Sequence, residues 1–247
     1  MLRKAINQIH NLWFIIALLR ITAWHAFHIW AKGNALRQNP FTADAVLVRW
    51  AEAIMQAVDA KITIHNPHQT DLTPTVPTII MVNHASLLDI PVSYCVFRKR
   101  LRMIGKKELA RIPVFGKAIY YARHMFVDRN NPRQAVKDLQ IAKQAIQDGI
   151  LLWIAPEGTR SADGQLQPLK RGGFKLAMQS GAQIIPVTLC GTHALLAKKS
   201  IQLKRHGLID VHVGKPIFPH EGIDCAALMQ SVHQAIEAPL IDKPLAQ

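Results

Sequence analysis

A histidine and an aspartate five residues apart, His84 and Asp89, are the pair in this chain best suited to moving a proton. They lie in Asn83-His84-Ala85-Ser86-Leu87-Leu88-Asp89, directly after an apolar run at 76–82 whose Val, Ile and Thr content reads as a buried strand. On one shared helix the two side chains would point about 140° apart and could not meet. With His84 in the turn after the strand and Asp89 opening the next helix, the carboxylate folds back onto the imidazole. A carboxylate bonded to one ring nitrogen sets the tautomer and leaves the other nitrogen able to take a proton from a hydroxyl. The same residues also fit a purely structural role. Asp89 ahead of Ile90-Pro91 is a good helix N-cap, and Ser86 with Asp89 resembles a capping box.

Cations recur in the same setting. Lys106-Lys107 follows one short strand, Arg129 follows another, and Arg160 follows the run at 150–154 within Pro156-Glu157-Gly158-Thr159-Arg160-Ser161. In open α/β sheets ligands collect at the carboxyl ends of strands, so these cations and His84 would share one rim. Arg160 suits a phosphate best, because a guanidinium grips two oxygens at once and Gly158 permits close backbone approach. Taken singly, each cation is equally a solvated surface charge. Their repeated placement after strands points to an oxyanionic head group held beside a base. There is no Gly-rich loop ending in Lys-Ser/Thr, so the turn is not a P-loop. Ser86 and Ser161 lack a nucleophile-elbow context, and no His, Cys and Asp cluster has the spacing of metal ligands, so no metal site is expected.

The elements that must carry these groups follow from the hydrophobic pattern. Residues 61–65 alternate as a strand, 66–75 form a polar loop, and 90–97 continue as helix after the His84 turn. Short strands are expected at 101–105 and 125–127, and Arg98-Lys99-Arg100 between helix and strand reads as a solvated helix end. An amphipathic helix spans 132–148 and stops at Gly149; it is followed by a strand at 150–154, a helix at 170–179, strands at 183–189 and 209–213, and a last helix at 225–237. Pro186 predicts an edge strand or a bulge. The alternation gives an α/β fold, with a mixed, mostly parallel sheet flanked by helices.

Upstream, residues 12–31 are apolar over the length of a membrane span but are interrupted by Arg20, His25 and His28. Trp13, Trp24 and Trp30 are the residues expected at a membrane–water boundary. A second helix at 42–60 would pair with this one. The chain is therefore read as an N-terminal helical hairpin for membrane contact, residues 1–60, and an α/β domain, residues 61–247. The first helix lies in the interface or dips into the bilayer, the alternative being a buried helix of the domain. A net charge of +14 over 247 residues implies anionic partners, namely a lipid surface, a phosphorylated substrate or nucleic acid. Aromatic residues make up only 6%, without the basic–aromatic interleaving that stacks bases, so nucleic acid is set aside as a partner. Cys95, Cys190 and Cys225 are odd in number and far apart, which suits a reducing compartment and a packing role.

Five segments in order resemble the glycerolipid acyltransferases. Asn83-His84 with Asp89 matches their His-x4-Asp motif, and Lys107-Glu108-Leu109 with Pro113 and Gly116 their second block. Phe126-Val127-Asp128-Arg129 resembles the third, Pro156-Glu157-Gly158-Thr159-Arg160-Ser161 the fourth, and Ile184-Ile185-Pro186-Val187 the last. Within the family the similarity is to the bacterial 1-acyl-sn-glycerol-3-phosphate (lysophosphatidate) acyltransferases. One departure is Ala155, where an aromatic usually precedes the Pro-Glu-Gly.

The resemblance implies transfer of a fatty acyl group from a thioester to the free sn-2 hydroxyl of lysophosphatidate, making phosphatidate in phospholipid biosynthesis. His84 would be the base and Asp89 its orienting partner. Lys107, Arg129, Glu157, Gly158, Thr159 and Arg160 would form the phosphate site. No cofactor is implied, since acyl-CoA or acyl carrier protein enters as a substrate. The protein would sit monotopically or peripherally on the cytoplasmic face of the inner membrane. Another lysolipid acceptor, or a non-catalytic protein that binds anionic lipid, is the alternative.

Overall fold

Two unbroken apolar runs become adjacent parallel strands buried on both faces, β2 (Thr78–Val82) and β5 (Leu151–Ile154). The structure, a computed structural model, describes residues 2–39, 41–127, 132–219 and 222–242. Among these, β2 and β5 are joined by β1 (Lys61–His65), β3 (Leu101–Lys106), β4 (Met125–Val127), β6 (Gln183–Cys190) and β7 (Leu208–Val213). They form one sheet in the order β1-β7-β6-β2-β5-β3-β4, parallel throughout except between β6 and β7. The expected mixed, mostly parallel sheet is therefore present.

Strand periodicity sorts the core into two layers. Ile80, Val82, Leu151, Trp153 and Val187 face one cluster, while Ile79, Met81, Leu152, Ile154 and Ile184 face the other. The first layer is covered by α1 (Leu2–Ala31), α3 (Asp44–Val58) and α4 (Asp89–Phe97), which follow one another in space. The second is covered by α6 (Pro132–Gln147), α7 (Arg171–Ser180) and α9 (Cys225–Asp242). Two shorter helices, α2 (Gly33–Gln38) and α5 (Phe115–Tyr121), pack beside α1, and α8 (Thr192–Leu195) follows β6. The apolar pattern did not single out α5 or α8, each under two turns or so in length. The helix expected at 12–31 begins already at Leu2, because its polar first turns carry no apolar signal. The two helices of the expected hairpin, α1 and α3, do pack together, but α3 buries Val46, Leu47, Ala51, Ile54 and Val58 in the same cluster as the sheet.

Pro186 lies in β6, an interior strand, which corrects the edge reading and retains the bulge. Val187 pairs with Val213, whereas Ile184 pairs with Ile217, so three steps along β6 oppose four on the returning chain. The missing N–H falls where that ladder slips, and Gly214 donates to the Pro186 carbonyl at 2.9 Å. A Cβ on Gly214 would come within 2.8 Å of the proline ring.

The basic stretch at 98–100 is not a simple solvated helix end. The Arg100 guanidinium donates to the carbonyls of Thr73, Pro74 and Gly149 at 2.7, 2.6 and 3.3 Å and so ties two loops to its own. Arg98 pairs with Glu52 at 2.9 Å near the surface. The three cysteines are unbridged, and burial lifts the Cys95 thiol to about 11, which keeps it protonated at neutral pH.

A polar network crosses the first core layer. Met103 N–H donates to His124 Nδ1 at 3.1 Å, which places the ring proton on Nε2, 3.2 Å from the Tyr94 hydroxyl. Tyr94 in turn donates to the Leu101 carbonyl at 3.1 Å. Burial, reinforced by the Arg102 charge, holds His124 down at about 3. A depressed imidazole contributes stability that is present above its ordinary value near 6.5 and is lost as pH falls towards 3. That shift corresponds to at most about 5 kcal/mol, reduced by solvent because the residue is only half-buried. Urea unfolding followed between about pH 7 and pH 4 should therefore show falling stability, and a His124→Asn variant should show a flatter slope. Parallel slopes for the two proteins would remove His124 as the cause.

Candidate active site

The site follows from the order in which the strands are connected. β2 leads through α4 to β3 on one side, and β5 leads through α7 to β6 on the other. The two chains thus leave the centre of the sheet in opposite directions and cover opposite faces, which opens a crevice beyond the carboxyl ends of β2 and β5. The residues after β2 begin with Asn83 and His84, and those after β5 with the turn that carries Glu157 and Arg160.

The post-β2 turn is pinned to its neighbours before any chemistry is considered. Asn83 is buried and reaches across to β6, accepting from Leu189 N–H at 2.7 Å and donating to the Leu189 carbonyl at 3.0 Å. His84 N–H donates to Glu157 Oε1 at 2.6 Å, and the His84 carbonyl accepts from Ser161 N–H at 2.6 Å. The two crevice walls are therefore stitched to each other through the backbone of His84.

The imidazole Nδ1 lies 2.7 Å from Asp89 Oδ2, which fixes it as the N–H donor to the carboxylate. The same oxygen accepts from Ala85 and Ser86 N–H, both at 2.8 Å. Asp89 is the first residue of α4, and its carboxylate is turned back into the preceding turn rather than onto the helix N-terminus. It does not act as the N-cap that the sequence also allowed. Ser86 instead donates to the Leu196 carbonyl at 2.7 Å and accepts from Leu88 N–H at 3.2 Å. The Asp89 side chain is 0% exposed and that of His84 is 17% exposed, so the aspartate is sealed while the imidazole reaches the crevice. His84 Nε2 has no partner among the described residues and carries the lone pair when the ring is neutral. The edge of Trp153 packs against the imidazole, with centroids 5.5 Å apart and planes at 85°. Trp153 Nε1 donates to Ser93 Oγ at 2.9 Å, and Ser93 donates to the Asp89 carbonyl at 2.7 Å.

Glu157 is buried, and both its oxygens are occupied: Oε1 by His84 N–H and Oε2 by Gln167 N–H at 2.9 Å. Burial pushes its carboxyl above the ordinary carboxylate range, with the two backbone donations acting against that rise. Its contacts are those of a brace between the two walls. Gly158 takes φ +75°, a left-handed conformation that glycine adopts without strain, and its N–H donates to the Ala155 carbonyl at 3.0 Å. Thr159 is exposed and Arg160 half-buried, and the Arg160 guanidinium has no partner among the described residues. Lys107 is exposed at the head of a 3-10 turn, Lys107–Arg111, directly after β3, which borders β5. Arg129 lies outside the described residues.

The crevice thus brings together a base with a free nitrogen, a buried carboxylate that orients it, and cations on the neighbouring strand ends. Such a set can hold an anionic group and take a proton from a hydroxyl beside it. Among the described residues no three His, Cys, Asp or Glu side chains are grouped to hold a metal ion. Three contributors escaped the sequence reading: Trp153, which looked like one more apolar strand residue; Ser93, hidden in an apolar helix; and Lys198, which lies outside the motif blocks. Lys198 donates to the Arg160 carbonyl and, at 3.5 Å, to Thr159 Oγ1.

The chain is similar to several known proteins. A 1-acyl-sn-glycerol-3-phosphate acyltransferase of Cocos nucifera is 37% identical over 127 residues, covering 51% of this chain and 41% of the relative. A Chlamydomonas reinhardtii protein of the same name is 30% identical over 172 residues, covering 68% and 51%. The Mus musculus 1-acyl-sn-glycerol-3-phosphate acyltransferase alpha is 32% identical over 167 residues, covering 66% and 58%. The chain spans about half the length of the curated relatives it matches. The crystal structure of the 1-acyl-sn-glycerophosphate (LPA) acyltransferase PlsC from Thermotoga maritima has the same fold, with a TM-score of 0.79 at 20% identity over 99% of this chain and 100% of that one. Residues 61–190, more than half of the chain, match the family model described as Acyltransferase, and they contain the His84–Asp89 pair and the whole turn through Arg160: the chain belongs to the acyltransferase family.

Proposed function

We propose that this protein transfers a fatty acyl group from an acyl thioester to the free sn-2 hydroxyl of lysophosphatidate, giving phosphatidate. The observation that carries this reading is the His84–Asp89 contact at 2.7 Å, with Nε2 without a partner among the described residues and Arg160 and Lys107 following neighbouring strands. His84 Nε2 takes the hydroxyl proton as the substrate oxygen attacks the thioester carbonyl. The buried Asp89 carboxylate steadies the imidazolium that results. As the tetrahedral intermediate collapses, the C–S bond breaks and the proton passes from His84 to the leaving thiolate. The acceptor's own hydroxyl is the nucleophile, so no covalent enzyme intermediate is needed.

Arg160 and Lys107, with Arg129, hold the acceptor's phosphate, and Thr159 and the Gly158 backbone complete that wall. Glu157 contributes by bracing the turn on which Arg160 sits. The donor is acyl-CoA or acyl carrier protein, both acidic and both suited to a chain of net charge +14.

The acceptor reaches the site from a membrane. Residues Asn11–Ala31 of α1 are long and apolar enough to cross a bilayer by length and composition, and only 11% of that window is buried in the fold. Leu12, Trp13, Leu19, Trp24, Phe27 and Trp30 are all exposed on it. In this reading α1 and α3 over residues 1–60 dock the enzyme monotopically or peripherally on the cytoplasmic face of the inner membrane, and residues 61–247 carry the chemistry.

The test is thiol release from acyl-CoA by the purified protein in detergent, with and without lysophosphatidate. Release that depends on lysophosphatidate, with phosphatidate recovered, is expected. Release driven only by a different lysolipid would replace the acceptor. Lipid binding without release from acyl-CoA or acyl carrier protein would favour a non-catalytic anionic-lipid binding protein.

A further inference from the structure

Four neighbouring strands, β6, β2, β5 and β3, run parallel and end on the same rim. Three of them deliver groups to the crevice: β2 delivers His84, β5 Arg160 and β3 Lys107. The fourth, β6, leads into α8 and then the stretch at 196–206, which lies outside every motif block and contains Lys198. We propose that Lys198 binds the phosphate of the acceptor together with Arg160, as a cation brought to the site from the far side of His84. This inference rests on the acceptor site proposed above.

The stretch is not a free surface loop. Ser86 Oγ donates to the Leu196 carbonyl at 2.7 Å, Lys204 N–H donates to the Leu195 carbonyl at 2.8 Å, and His193 Nε2 lies 3.1 Å from the Ala162 carbonyl. It is thereby fastened to the turns after both β2 and β5. Between those fastenings the half-buried Lys198 seats its ammonium on the Arg160 carbonyl and near Thr159 Oγ1. An ammonium has three N–H donors, so one remains for a further acceptor. Neither Lys198 nor Arg160 has a carboxylate partner among the described residues, and the carboxylate beside them, Glu157, is fully engaged by backbone N–H groups. The Lys198 ammonium and the Arg160 side chain thus belong to one turn, neither with a carboxylate partner among the described residues, and a bound dianion would offset both charges. Because Lys198 is held by the strap before substrate arrives, it surrenders little side-chain entropy on binding.

The experiment compares wild type, Lys198→Met and Lys198→Arg in detergent, with two readouts. The first is the kinetics of acyl transfer to lysophosphatidate. Loss of one charge-assisted bond should raise KM about 10- to 100-fold in Lys198→Met with a much smaller change in kcat, and Lys198→Arg should recover most of it. The second is the rise in Tm on adding inorganic phosphate in place of chloride at matched ionic strength. It should be clear in wild type, retained in Lys198→Arg and absent in Lys198→Met. A Lys198→Met protein with wild-type KM and a wild-type phosphate shift overturns the proposal. So does one in which kcat and Tm fall with KM unmoved, since Lys198 would then be a strap alone, and so does a wild type with no phosphate shift. If wild type fails to acylate lysophosphatidate, the proposed function is lost, and the phosphate shift still decides for or against Lys198.

Discussion

Replacing His84 with alanine is expected to lower kcat for acyl transfer by about 10²–10⁴-fold while leaving the protein folded. The imidazole is the only part of the post-β2 turn that the substitution removes. The bonds that pin the turn run through the His84 backbone and through Asn83, and they survive it. Asp89→Asn should cost a comparable factor for a different reason. Three N–H groups converge on Asp89 Oδ2, from His84, Ala85 and Ser86, and an amide oxygen in that place can still accept all three. The turn therefore keeps its shape, but the negative charge that stabilises the imidazolium is gone. The measurement is lysophosphatidate-dependent thiol release, with Tm and near-ultraviolet circular dichroism as the check on folding. Wild-type turnover in His84→Ala would take His84 out of the chemistry. A collapse of Tm in Asp89→Asn would make Asp89 a folding residue first.

The largest effect on stability is expected at Asp44. The Arg102 side chain, on β3, is 0% exposed, and its guanidinium pairs with Asp44 Oδ1 at 2.7 Å. Asp44 Oδ2 also accepts from Arg100 N–H at 2.8 Å, so one carboxylate joins the start of α3 to two residues of the β3 region. Asp44→Ala takes a carboxylate away from a buried guanidinium and from the Arg100 N–H, and the loss should be about 3 kcal/mol, a large share of the stability of many domains. The paired change Asp44→Leu with Arg102→Met removes both members of this link and should cost less, because the guanidinium that the carboxylate serves leaves with it. Denaturant unfolding of both variants makes the comparison. Equal losses would show that the salt link is not what Asp44 contributes.

These two sites differ in how readily they can be read from the sequence. His84 and Asp89 are five residues apart, and the turn that joins them is local, so their spacing already implied that the carboxylate could reach the ring. The strands could be read because they are buried on both faces: 78–82 and 151–154 are unbroken apolar runs bounded by turn residues. Asp44 and Arg102 lie 58 residues apart in runs that give no hint of one another, and an arginine in a strand is ordinarily taken for a surface residue. The Arg98-Lys99-Arg100 cluster misled for the same reason, since the carbonyls that hold Arg100 come from two loops distant in sequence.

Sequence alone therefore determined the α/β class, the meeting of His84 with Asp89, and the turn that carries Arg160, because each depends on periodicity or on residues within one turn of chain. Strand order was decided only in three dimensions. It sets β5 beside β2 and sends their helices opposite ways, which opens the crevice where Glu157 meets the His84 backbone. The same long-range pairing placed α3 in the core, made the strand of Pro186 an interior one, and laid Lys198 against the Arg160 turn. Contacts of that kind form between segments distant in sequence, and their residues carry no local mark of the partners they will find.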